Sequence, residues 1–124
     1  MKGTSWLIAL VFAAGVGTAS AHEEHGTGGE QTLTGEVVDV FCYLSHPDQG
    51  LGKSHAACAK KCIEGGLPVA IKVGDQLYLL AMADHSPANA VLAKFAGEQV
   101  TVHGTVMERD GQHLISVSGV ELVR

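Results

Sequence analysis

The sequence predicts a mainly β fold: five strands in one small barrel-sized domain, interrupted by two helical segments. Three observations carry this. Runs rich in β-branched residues recur along the chain from residue 32 onward. Two dipeptides, Gly74-Asp75 and Asp110-Gly111, separate pairs of such runs by the two residues that suit a tight hairpin. After Ser54 and after Ser86 the apolar spacing changes to one that fits a helix.

Taken in order, residues 32–42 (TLTGEVVDVFC) form the first strand, with Leu33, Val38 and Val40 expected on one face and Gly35 easing a bend. His46-Pro47-Asp48-Gln49-Gly50 and Gly52 make a loop by their turn chemistry. Ser54 is the expected cap of a helix over 55–64, which Gly65-Gly66 and Pro68 stop. Residues 67–73 and 76–82 are the second and third strands. Ser86 is the expected cap of a second helix over 87–95, with Val91, Leu92 and Phe95 facing the core and Gly97 ending it. Residues 99–109 and 113–123 complete the set.

This order resembles an OB-fold, a five-stranded Greek-key barrel with a helix between strands three and four. The segments that carry the resemblance are GEVVDV, LPVAIKVGDQLYLLA, SPANAVLAKFAG and EQVTVHGTVMERDGQHLISVSGVELV. A plain OB-fold has no counterpart to the helical insert after strand one, at residues 43–66. That insert holds the reactive side chains.

The start of the chain reads as a secretory signal, with Lys2, an apolar run over 6–16 and the small-x-small triplet Ala19-Ser20-Ala21, so cleavage is expected after Ala21. The run is too short, and too broken by Gly15 and Gly17, for a membrane span, which needs about 20 apolar residues. Residues 1–21 are therefore assigned as signal peptide, 22–31 as a flexible His/Gly/Glu arm and 32–124 as the domain, in a periplasmic or secreted protein. Cleavage leaves His22 with a free amine, an arrangement similar to the copper "histidine brace" of some exported proteins. A brace also needs a second histidine held by the fold, and an arm does not hold one. The formal charge of -5 and an aromatic content of 5% oppose nucleic-acid binding, which needs a basic groove and stacking platforms.

The chemistry centres on Cys42, His55, Cys58 and Cys62. Exported cysteines usually pair as disulfides, and the chain has three. On a helix, His55, Cys58 and Cys62 share one face, and a strand ending at Cys42 would bring the third sulfur to them. Three thiolates and an imidazole form a four-ligand shell for one soft or borderline transition-metal ion, copper or zinc. Two alternatives stand beside it. A disulfide from Cys42 to Cys58 or Cys62 would leave a metal-free module that recognises another exported protein. A thiol-redox role would use a cysteine near a helix start, although the usual redox pair has two intervening residues rather than three.

The Cys58-x-x-x-Cys62 spacing resembles the copper-binding segment of exported chaperones that assemble cytochrome oxidase, and of the oxidase's dinuclear copper domain. The resemblance implies affinity for soft metals. Cys42-Tyr43, then GKSHAACAKKC over 52–62, then Gly65-Gly66-Leu67-Pro68 is similar to small exported bacterial OB-fold-like proteins of unassigned function, which implies fold and export.

The remaining histidines carry less. His46 is a neighbour of the expected site, while His85, His103 and His113 are expected at the surface. Met82 and Met107 are isolated, and Lys60 and Lys61 fall on the far helical face. No G-x-S-x-G elbow, H-E-x-x-H helix or P-loop occurs, so the sequence carries none of those catalytic signatures.

Overall fold

The computed structural model describes residues 28–124. The expected signal peptide and most of the expected arm, with His22 and His25, lie outside the described residues. Five strands close into a barrel in the order β1-β2-β3-β5-β4: β1 (Glu30–Asp39), β2 (Val69–Val73), β3 (Gln76–Met82), β4 (Gln99–Arg109) and β5 (Gln112–Leu122). All pairings are antiparallel except β3 with β5. This is an OB-fold-like barrel, as the sequence predicts.

Both hairpins sit at the expected dipeptides. Val73 pairs with Gln76 across Gly74-Asp75, and Arg109 pairs with Gln112 across Asp110-Gly111. Asp110 and Gly111 both have positive φ, 52° and 76°, the condition for a turn whose twist matches the strands it joins.

The first strand differs from expectation at both ends. It starts at Glu30, so the last two residues of the expected arm belong to the sheet, and it stops at Asp39. Residues Val40–Ser45 form a short helix, α1, whose N-cap is Asp39: the Cys42 backbone N–H donates to Asp39 Oδ1 at 2.8 Å. Cys42 therefore sits on a helix, not on a strand end. The expected face of Leu33, Val38 and Val40 also fails, because five residues cannot separate two side chains on one face of a period-two strand. Leu33 and Val37 pack in the core, whereas Val38 is buried outside the core cluster and Val40 opens α1.

The insert's main helix, α2 (Ala56–Glu64), is shorter at its start than expected. Ser54 does not cap it. The His55 N–H donates to Gly52 O at 3.1 Å and the Ala56 N–H to Lys53 O at 3.3 Å, so backbone turns already occupy these donors. The stop matches expectation: Gly66 has φ +97°, its N–H donates to Ile63 O, and the Leu67 N–H reaches back to Cys62 O, both at 3.0 Å. These are the two bonds of a Schellman ending.

The second helical segment is α3 (Asn89–Leu92) followed by a 3-10 turn, Ala93–Phe95. Ser86 does not cap it either, since its N–H and Oγ–H both donate to Asp84 Oδ1. Leu92 is fully buried and Phe95 packs against the core, but Val91 faces solvent. Asn89 ties this segment to the insert, its Nδ2 donating to Ile63 O at 2.8 Å and Leu67 O at 2.7 Å. Ala59 and Ile63 on one face of α2 join the barrel core formed by Ile71, Val100, Val102, Ile115 and Val117. The flank of α2 next to that face, one residue earlier at each turn, carries the thiols of Cys58 and Cys62.

Candidate metal centre

α1 and α2 bring the three sulfurs together. Cys42, Cys58 and Cys62 each offer a sulfur within 4.8 Å of the others, and all three thiols are free. Burial grades across them: Cys42 is buried, Cys62 half-buried and Cys58 exposed. The C-x-x-x-C spacing accounts for two of them, since i and i+4 side chains are neighbours on α2. The third arrives because Asp39 caps α1 and turns residue 42 inward.

A second set overlaps the first. Asp39, Cys42 and His55 also place one ligand atom each within 4.8 Å of one another, so Cys42 belongs to both sets. Asp39 is fully buried, and its Oδ2 lies 3.5 Å from His55 Nε2. Neither atom has a hydrogen-bond partner. A buried carboxylate oxygen that faces an imidazole without a hydrogen bond between them is a candidate ligand atom. Sequence reasoning missed Asp39. The available signal was its position three residues before Cys42, the spacing of a helix cap to the N–H it binds.

Electrostatics keeps the inner thiols protonated in the metal-free protein. Burial first, then the hydrogen bond and charge of Asp39 and the neighbouring Cys62, together push the Cys42 thiol up to about 12. Cys62 is also raised, first by burial, with a hydrogen bond from Cys42 acting in the opposite sense and the charges of Asp39 and Cys58 adding to the rise. Such thiols are poor nucleophiles at neutral pH. A metal ion that binds them must displace their protons.

Glycines fit the insert onto the barrel. A Cβ on Gly50 would lie 2.8 Å from Tyr43 Cα and 2.9 Å from Cys42 O, so the 46–55 loop can close over α1 only without a side chain there. Gly97, at φ +72°, would place a Cβ 2.8 Å from Gly52 O and 2.9 Å from Ala56 Cβ, where α2 begins against the barrel. Glu36 Oε1 accepts from the Gly52 N–H and pins the same point.

Among the described residues, the other histidines belong to neither ligand set. His46 is the exposed C-cap of α1, its N–H donating to Cys42 O at 2.8 Å. His85 is exposed, and His103 shares a hydrogen bond with Thr32 Oγ1 through its Nδ1. His113 departs from the expected surface position: it is in phase with Ile115 and Val117, its ring centroid lies 5.2 Å from that of Tyr78, and only 19% of its side chain is exposed. Lys60 pairs with Glu64 on the exposed face of α2.

The chain matches no protein-family model, no curated protein and no solved structure. The reading of the site therefore rests on its own chemistry. Among the described residues, no helix is long and apolar enough to cross a membrane.

Proposed function

We propose that this chain is an exported, periplasmic or secreted protein that holds a soft or borderline transition-metal ion, copper or zinc, for carriage, sensing or structural stabilisation. The observation that carries the reading is the convergence of three free sulfurs from two helices within 4.8 Å. Three thiolates from Cys42, Cys58 and Cys62 satisfy a soft ion, and His55, grouped with Cys42 but not with Cys58 and Cys62, is the proposed fourth donor of a tetrahedral shell around one ion. The exposure of Cys58 supports exchange of the ion with the surroundings. Phe41 and Leu44, 61% and 66% exposed on the helix that carries Cys42, supply an apolar surface beside the site for an exported protein partner.

Elemental analysis of the protein purified from the periplasm, with thiols counted before and after chelation, tests the reading. At least one bound metal per chain and three thiols released on chelation are expected. A metal-free protein with one free thiol and one disulfide would replace this reading with the disulfide-stabilised binding module.

A further inference from the structure

The two overlapping ligand sets describe two positions rather than one. We infer that Asp39, Cys42 and His55 form a second metal position, adjoining the three-sulfur position and sharing the Cys42 thiolate as a bridge. The inference rests on the metal-binding reading above and goes beyond its single ion.

Geometry supports the second position directly. A tetrahedral ion with oxygen and nitrogen ligands at about 2.0–2.1 Å separates two such donors by roughly 3.3–3.4 Å. Asp39 Oδ2 and His55 Nε2 stand 3.5 Å apart, close to that span, and neither has a hydrogen-bond partner. Asp39 is fully buried, with its Oδ1 occupied by the Cys42 N–H and its Oδ2 facing the His55 ring. The sulfur grouped with both is that of Cys42, the one residue common to the two sets.

The donor types also divide. The outer set is all sulfur and suits a soft ion, whereas the inner set of carboxylate, imidazole and one thiolate suits a borderline ion such as zinc. A second cation would offset the buried Asp39 carboxylate, which an ion on the three sulfurs alone leaves without a ligand role. When the inner position fills, His55 serves it and the outer ion keeps its three sulfurs. The Cys42 proton leaves to solvent when the first ion binds, and the thiolate then bridges to the second.

Cobalt(II), a spectroscopic substitute for zinc, tests the inference on the reduced, metal-free protein held under anaerobic conditions. Native mass spectrometry should show two cobalt ions per chain, and thiolate-to-cobalt absorption should develop over two equivalents. Asp39→Asn keeps the α1 cap, because asparagine caps as well as aspartate, and should bind one ion with the three-sulfur absorption retained. His55→Ala should likewise lose one equivalent and keep the other. Saturation of the wild-type protein at one equivalent overturns the second position, as does an Asp39→Asn protein that still binds two. One equivalent that His55→Ala weakens and Asp39→Asn does not is the signature of a single four-ligand site, which leaves the proposed function standing. No cobalt uptake by the wild-type protein removes both readings.

Discussion

Asp39 holds Cys42 in place through one carboxylate oxygen and turns the other toward His55, 3.5 Å away and without a hydrogen bond. One buried side chain thus starts a helix and faces a ligand set. The two roles separate by mutation. Asp39→Ala removes the cap and should lower stability by about 1–2 kcal/mol, whereas Asp39→Asn should cost less because it keeps the acceptor. Urea unfolding of the metal-free proteins measures both. Equal losses would show that the α1 cap is not what Asp39 contributes.

The buried Cys42 thiol makes the metal-free protein sensitive to alkali. Its folded-state value, about 12, lies above the ordinary thiol value of 9.0, so the folded state retains a proton that the unfolded state loses. Stability from this group is full below about pH 9 and declines as pH rises toward 12. Thermal midpoints between pH 8 and pH 11, with reductant and chelator present, should fall, and Cys42→Ala should flatten the slope. A slope unchanged by that substitution would assign the alkaline loss to other groups.

Alkylation should follow the same gradient. In the metal-free protein Cys58, exposed on α2, reacts first, Cys62 next and Cys42 last. At pH 8 a thiol near 12 has a thiolate fraction about 1,000-fold below that of a thiol near 9, because only the thiolate attacks. Peptide mapping after timed iodoacetamide treatment reads the order. Cys42 labelled as fast as Cys58 would mean that the sulfur is not enclosed.

Much of the barrel was legible because its turns carry their own chemistry. Gly74-Asp75 and Asp110-Gly111 closed the hairpins where expected, and Gly65-Gly66 ended α2. The stretch Val40-Phe41-Cys42-Tyr43 misled because β-branched and aromatic residues favour strands, while the cap that makes it helical depends on a single Asp39 side chain. The sulfurs of Cys58 and Cys62 were legible from helical spacing. Asp39 was not, because the burial that gives a lone carboxylate its importance is a property of the folded packing.

Asn89 should prove to be a remote support of the site. Its amide bridges Ile63 O and Leu67 O, fixing the end of α2 that carries Cys62. Asn89→Ala leaves two carbonyls without that donor and should cost about 1–3 kcal/mol, with weaker metal binding although the residue touches no ligand. Chemical denaturation and a competitive chelator titration measure the two effects. Loss of stability with unchanged affinity would show that the end of α2 does not need this bracket.

Gly97→Ala tests how the insert seats on the barrel. A side chain there meets Gly52 O and Ala56 Cβ, and the φ of +72° is itself unfavourable for alanine by about 1–2 kcal/mol. Destabilisation of at least that size is expected by thermal unfolding. A neutral substitution would show that the start of α2 moves aside without penalty.

The closed ring of strands decides how another molecule can engage this protein. Among the described residues each strand has two neighbours, but β1 meets β2 only over Glu36–Asp39 and β5 meets β3 only over Leu114–Val117, so backbone open to an incoming chain is confined to strand ends such as 30–35 of β1 and 118–122 of β5. Strand addition is limited to those ends, and elsewhere on the barrel a visiting protein must read side chains. The helical cap over residues 40–64 is where the thiols and the exposed Phe41 and Leu44 gather, so docking and metal exchange would take place on the same few square nanometres of surface.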